Sequence, residues 1–411
     1  MAAIYRGGVT SVDRAGAKRR LFPALDPEPP PRSWWRRLLV PAAAVVLVAA
    51  VVAAVQFWPF SSAGPKPAAE ARVSAALAGL AGGRIVAVTA AGELALSDPD
   101  GQHVTQLRAL GKVGQMVTAS PDHRYLALGN GQLVTVRHGP ALALDHTNMP
   151  LNSDTYTAWP DPFADNERAL VLLADFGDPA ASSSNPISVI PFGSGQPVSL
   201  GAGDQVAGDP QALGVFSSVA ARQLPSATSV QESPDSGIVL HDAGRPAVLL
   251  ATAASLAGDL GYPRSLPVSL IPTPSPSGAE VAVTVQSAAG SSTVGVVVLD
   301  RAGRLLGTAP FRAQTIPTWS PSGRSLAFLA ASDGRGPDLK IWTIGQPTTT
   351  SDFPASSAGY GGCVWSPDGT WLLCPAGGGG NWAIAKAAGG RMTAVRGPGV
   401  PITWLPPADG R

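Results

Sequence analysis

With 411 residues, the chain is long enough to bury one large core or two ordinary ones. Only 14% of its residues are charged and the net charge is +1, which excludes a global pull toward nucleic acid or anionic lipid. The 47 glycines and 40 prolines are spread along the chain, which excludes one long low-complexity tract and fits many short elements joined by tight turns.

Residues 1–33 mix charges, glycine and the run Pro-Glu-Pro-Pro-Pro, and read as a disordered cytoplasmic tail. From Leu38 to Val55 no side chain is charged or strongly polar, and extending the run to Trp58 gives 21 residues, where ~20 helical residues span a bilayer core. Trp34 and Trp35 precede the run, and Phe57, Trp58 and Phe60 follow it, as rings that favour the two headgroup regions. Lys18, Arg19, Arg20, Arg32, Arg36 and Arg37 lie before it, so residues 34–60 read as one transmembrane helix, a signal anchor with its amino terminus inside. A cleaved leader is the rival reading, with Arg36-Arg37-Leu38-Leu39 resembling a twin-arginine signal and Ser61-Ser62-Ala63 a weak cleavage site. Either reading places the rest of the chain outside the cytoplasmic membrane. Residues 61–82 read as a linker.

From residue 83 onward, short runs rich in Val, Ile and Leu alternate with Gly, Pro, Asp and Ser, with no sustained helical period, so 83–411 reads as all-β. Four stretches repeat: SPDHRYLAL (120–128), SPSGAEVAV (275–283), WSPSGRSLAFL (319–329) and WSPDGTWLLC (365–374). The last three serines are 45 and 46 residues apart, within the ~40–50-residue period of propeller blades. In each, Pro presets φ at one turn position and Gly accepts the positive φ that other residues resist. Trp159-Pro160-Asp161 reads as a decayed copy of the turn.

This Trp-Ser-Pro-Asp/Ser-Gly turn followed by an apolar strand resembles the repeat of the TolB propeller family. The resemblance covers about residues 83–411 and implies a β-propeller; the family's separate α/β domain has no counterpart here. The scarcity of lysine beside abundant Ala, Gly, Pro and Arg points to a GC-rich, actinobacterial source. The carboxy-terminal ITWLPP (402–407) looks like a first strand without a second, and GGRIVAV (82–88) like a second strand without a first, so the two should pair and close the ring. Blades then begin near residues 403, 116, 156, 206, 268, 315 and 361, which makes seven, with 221–235 as an insertion in the fourth. Eight blades result if Ser233-Pro234-Asp235 opens another, and six is a further alternative.

Chemistry is sparse. The two cysteines, Cys363 and Cys374, flank the Ser366–Gly369 turn symmetrically, which in an oxidising compartment favours a structural disulfide over two free thiols. His103, His123, His138, His146 and His241 form no metal-ligand array, and His123 and His138 read as exposed. Asp161, Asp165 and Glu167 cluster in the third blade, where an irregular solvated loop is favoured over a calcium site. There is no Gly-x-Ser-x-Gly elbow, and SPDGTW (366–371) lacks the residue that an aspartate box keeps between Asp and Gly. Trp159, Trp319, Trp365 and Trp404 recur once per blade and should pack between blades. No catalytic residue, metal or cofactor follows from the sequence. The leading reading is a membrane-anchored, noncatalytic scaffold that binds envelope proteins or an extracytoplasmic ligand, with roles in assembly or translocation by analogy to TolB. A sensor signalling through the 1–33 tail and an enzyme with a central-funnel site are the alternatives.

Overall fold

The computed structural model describes residues 76–407 apart from short stretches, the longest of them 175–184, 220–235 and 353–361. The apolar run at 38–55 lies outside the described residues, among which no helix is long and apolar enough to cross a membrane.

Seven antiparallel sheets follow one another along the chain, each an up-and-down meander. Blade 1 joins Val400–Leu405 to Arg84–Val88, Leu94–Ser97 and Thr105–Gln106. Blades 2 to 7 open at Met116, Thr155, Val206, Val268, Thr318 and Val364, each within three residues of the start expected from the repeat. The carboxy-terminal strand closes the ring as anticipated, with Ile85 opposite Trp404, Val86 opposite Thr403 and Ala87 opposite Pro401. Eight blades are excluded in the fourth sheet. Gly214–Val219 pairs directly with Gly237–Asp242 along its whole length, so residues 220–236 connect two strands of one blade and open no new one.

Among the described residues there is no common core. The buried apolar residues fall into seven clusters, each spanning one boundary between adjacent blades, so every strand in the inner half of a blade has two covered faces. Alternation along one strand shows the logic: Leu326 and Phe328 face blade 5 with Val296 and Val298, while Ala327 and Leu329 face blade 7 with Trp365 and Cys374. Double-sided burial explains near-continuous apolar runs such as WLLC and ALVLLA, which a one-faced sheet would interrupt with polar residues. Trp319, Trp365 and Trp404 pack at these boundaries as expected, while Trp159 lies outside the described residues.

One short helix, α1 (Ala253–Asp259), interrupts the pattern between blades 4 and 5. Thr252 and Ser255 form a reciprocal cap at its start, and Leu256 and Leu260 anchor it in the blade 4–5 cluster.

Candidate functional site

The turn between the first and second strand of each blade is the most repetitive element, and these turns form a belt on one face of the ring. In four of them the serine of Ser-Pro accepts a hydrogen bond at Oγ from the amide five residues on, from Tyr125, Glu280, Ser325 and Trp371 at 2.8–3.2 Å. The residue three beyond that serine closes the turn at a φ of 62–70°, which explains glycine at 278, 323 and 369. Successive turns touch: Gly369 lies against Pro321, Gly323 against Ser275, Gly278 against Gln211, and the Asn166 amide donates to the Pro210 carbonyl.

Blade 3 departs from the sequence reading. Its first strand is split into Thr155–Thr157 and Phe163–Ala164, both paired with Ala169–Ala174, so the turn runs through Asp165 and Asn166 at φ 52° and 51°. Trp159-Pro160-Asp161 lies outside the described residues. Of the acidic trio proposed there, Asp165 belongs to the turn, and Asp161 and Glu167 lie outside the described residues.

In blade 4 the serine is replaced by Asp209, and here the belt acquires charge. The Asp209 side chain is fully buried; Oδ1 accepts from the Gln211 amide at 2.9 Å and from Arg301 Nη1 at 2.7 Å. Arg301 comes from the outer turn of blade 5. Its Nη2 lies 3.6 Å from Asp242 Oδ1, its Nη1 also donates to the Gly278 carbonyl, and its guanidinium sits 5.8 Å from the Phe216 ring centroid. Burial pushes the Asp209 carboxyl above the ordinary carboxylate range in spite of the arginine.

Next to Asp242 stands a second polar group. Ser217 Oγ lies 3.0 Å from His241 Nε2, with Ser217 fully buried and His241 nearly so. The Leu200 carbonyl bonds the same imidazole from blade 3, where a bulge at Leu200 turns the backbone toward it. Burial holds the His241 pKa below its ordinary value. Serine, histidine and an orienting acceptor follow the order of an activated nucleophile. Ser217, however, is sealed by Gly203, where even a Cβ would come within 2.7 Å of the serine Cβ. A substrate carbonyl has no approach, and the trio serves as a polar tie between blades 3 and 4.

His123 occupies the glycine position of the blade 2 turn at φ 62°, a conformation that non-glycine residues seldom adopt. It is not the exposed turn histidine expected from sequence. Its Nδ1 sits 2.8 Å from Thr403 Oγ1 of the closing strand, and burial, against the weaker pull of Asp122, lowers its pKa to about 4. His138 is exposed at its strand end, and His103 is exposed and paired with Asp98 at 2.6 Å. The lowered pKa has a sign. The unfolded chain takes up a proton near 6.5 and the folded protein near 4, so stability is complete above 6.5 and falls through this window by about 3 kcal/mol. His123→Gly, which restores the repeat residue, is expected to flatten that part of the stability profile without loss at pH 7.5. Denaturant midpoints measured from pH 7.5 to 4 decide this, and a parallel decline in both proteins refutes it.

Cys363 and Cys374 are joined at S–S 2.03 Å across the first hairpin of blade 7, one pair beyond Val364 and Leu373, and both are buried. Among the described residues, no group of three or more His, Cys, Asp or Glu side chains could hold a metal ion.

These features define a closed seven-bladed β-propeller whose polar clusters lie between blades. No family model and no curated protein matches the sequence. Among solved structures, the chain is similar to TolB from Acinetobacter baumannii, itself a β-propeller, at 12% identity and a TM-score of 0.42 over 80% of this chain and 67% of that one. It is also similar to the β-propeller domain of Cps50 (Swd1) from Myceliophteria thermophila, at 13% and 0.47 over 71% and 90%. A third is an oligogalacturonate lyase in complex with manganese, at 13% and 0.48 over 69% and 78%.

Proposed function

We propose that the protein is a TolB-type propeller, held outside the cytoplasmic membrane by residues 34–60, that acts as a noncatalytic binding scaffold for envelope proteins. One observation carries the noncatalytic part: the side chains best suited to chemistry are consumed in blade-to-blade contacts. Arg301 is held between two carboxylates, and the Ser217–His241 pair is sealed from solvent. What remains accessible is a rigid ring with two faces of loops, an arrangement suited to recognition. The anchored placement rests on the uncharged 38–55 run and the cluster of arginines before it.

Two measurements in native cells test the reading. Protease added to spheroplasts should digest the propeller and spare residues 1–33, and an unreduced digest should release the Cys363 and Cys374 peptides joined. A protected carboxy-terminal part, or two freely alkylated thiols, overturns the placement. Photo-crosslinking residues at the exposed positions Tyr262 and Ser322, on opposite faces, should give discrete protein adducts from at least one face. Adducts from neither face overturn the scaffold role.

A further inference from the structure

Six blades join their first and second strands through a covalent turn, but blade 1 cannot. Its first strand ends the described chain at Val400–Leu405 and its second strand, Arg84–Val88, begins the sheet region. Residues 77–83 occupy the place where that turn would run. Leu77, Leu80 and Ala81 pack against the cluster of Trp371, Trp382 and Trp404, and Gly82 lies against Pro407 just beyond the closing strand.

The tryptophan hydrogen bonds show that this segment is held rather than merely adjacent. In blade 6 the indole of Trp319 donates to the Thr273 carbonyl of blade 5, and in blade 7 that of Trp365 donates to the Thr318 carbonyl of blade 6. Both acceptors stand at the same repeat position, two residues before the turn serine. The equivalent acceptor for Trp404 is Val364 of blade 7. Trp404 instead donates to the Gly82 carbonyl at 3.0 Å, and Trp371 donates to the Gly79 carbonyl at 3.1 Å. Gly83 tightens the fit: at φ 114°, a Cβ there would meet the Leu405 carbonyl at 2.2 Å.

We propose that residues 77–83 are a latch that substitutes for the missing turn of blade 1 and controls whether the ring opens at the closing strand. The direction of opening follows from the neighbours. On the blade 7 side, the first hairpin is stapled by Cys363–Cys374, so its strands stay paired. Val400–Leu405 has no covalent tie; it is held by backbone pairing to Arg84–Val88, by the burial of Trp404 and Leu405 against blades 7 and 2, by the Thr403–His123 hydrogen bond and by the latch. Releasing the latch therefore lifts the closing strand and bares the edge of Arg84–Val88, a row of unpaired backbone groups able to accept a strand from another chain. Whatever grips or releases the chain at residues 77–83 sets the state of the ring.

Hydrogen exchange on the detergent-solubilised full chain tests this. Trp371→Phe keeps an aromatic ring and removes the donor to Gly79, and Leu77→Ala with Leu80→Ala removes the apolar grip. Either change should speed exchange of the Arg84–Val88 and Val400–Leu405 amides at least tenfold, with Glu280–Ser287 in blade 5 unchanged. Unaltered exchange at the two seam strands overturns the latch. So does equal acceleration in all three strands, which marks a merely global loss of stability. Trp371→Phe is the milder variant and keeps the test decisive if the double alanine variant fails to fold.

Discussion

Deleting residues 400–411 is expected to lower the melting temperature of the propeller by about 10 °C and to drive the truncated protein into oligomers. The strand buries Trp404 and Leu405 completely, and such side chains cost about 2–5 kcal/mol each when removed from a packed site. Its loss also strips backbone partners from Arg84 through Val88, the Trp404 indole donor from the Gly82 carbonyl of the latch, and the Thr403 hydroxyl that His123 bonds. Removing a similar length from 221–235 leaves every one of these contacts in place and should shift the midpoint by no more than about 2 °C, as loop length enters stability only logarithmically. Calorimetry with light scattering on both deletions makes the comparison. A monomeric truncation that melts like the parent would mean that the ring does not depend on closure. Gly83→Ala gives a graded version, pushing the Leu405 carbonyl aside without deleting anything.

The ring was legible in the sequence because its turns are local. Pro and Gly fix φ within four residues, and the pattern recurs at blade spacing, so the starts of six blades and the pairing of the two chain ends follow from short-range chemistry. Where the turn lost its signature the reading slipped. In blade 3, Asp165 and Asn166 adopt the left-handed conformation without glycine, so no local signature marks the turn, and Trp159-Pro160 is the more conspicuous pair in the sequence. Helix α1 is barely two turns long, too short for a helical period to show. The polar clusters were illegible for a different reason. Arg301 meets Asp209 across 92 residues and Ser217 meets His241 across 24, distances that no local pattern encodes. A faint signal existed in Asp209-Pro210, where the repeat places Ser-Pro, and in His123, where it places glycine. Both departures from the repeat mark a residue recruited to a neighbouring blade, one by Arg301 and one by Thr403.

Replacing Arg301 with methionine should cost 3–5 kcal/mol at pH 7, about the loss seen when one partner of a buried ion pair is removed. The guanidinium is the cation facing Asp209, whose carboxylate has no solvent to turn to, and it also draws Asp242 and the Gly278 carbonyl together. Asp209→Ser should cost less, about 1–2 kcal/mol, because Arg301 keeps Asp242 and a partly exposed edge, and because serine is the residue the other turns use. In the double variant Asp209→Ser with Arg301→Met the two losses should fall well short of adding, since no fully buried carboxylate is left unpaired. The pH dependence carries the sign. Burial already raises the folded-state pKa of Asp209, and removing the arginine raises it further. A group whose folded pKa is raised stabilises below that pKa and loses the contribution as pH rises. The deficit of Arg301→Met relative to the parent should therefore shrink as pH falls from 7 toward 5, while the double variant, with no carboxylate at 209, should lack the Asp209 contribution to pH dependence altogether. Guanidinium midpoints of the four proteins at both pH values test the cycle. A pH-independent deficit in Arg301→Met, or strict additivity in the double variant, would show that Asp209 is not the charge that Arg301 neutralises.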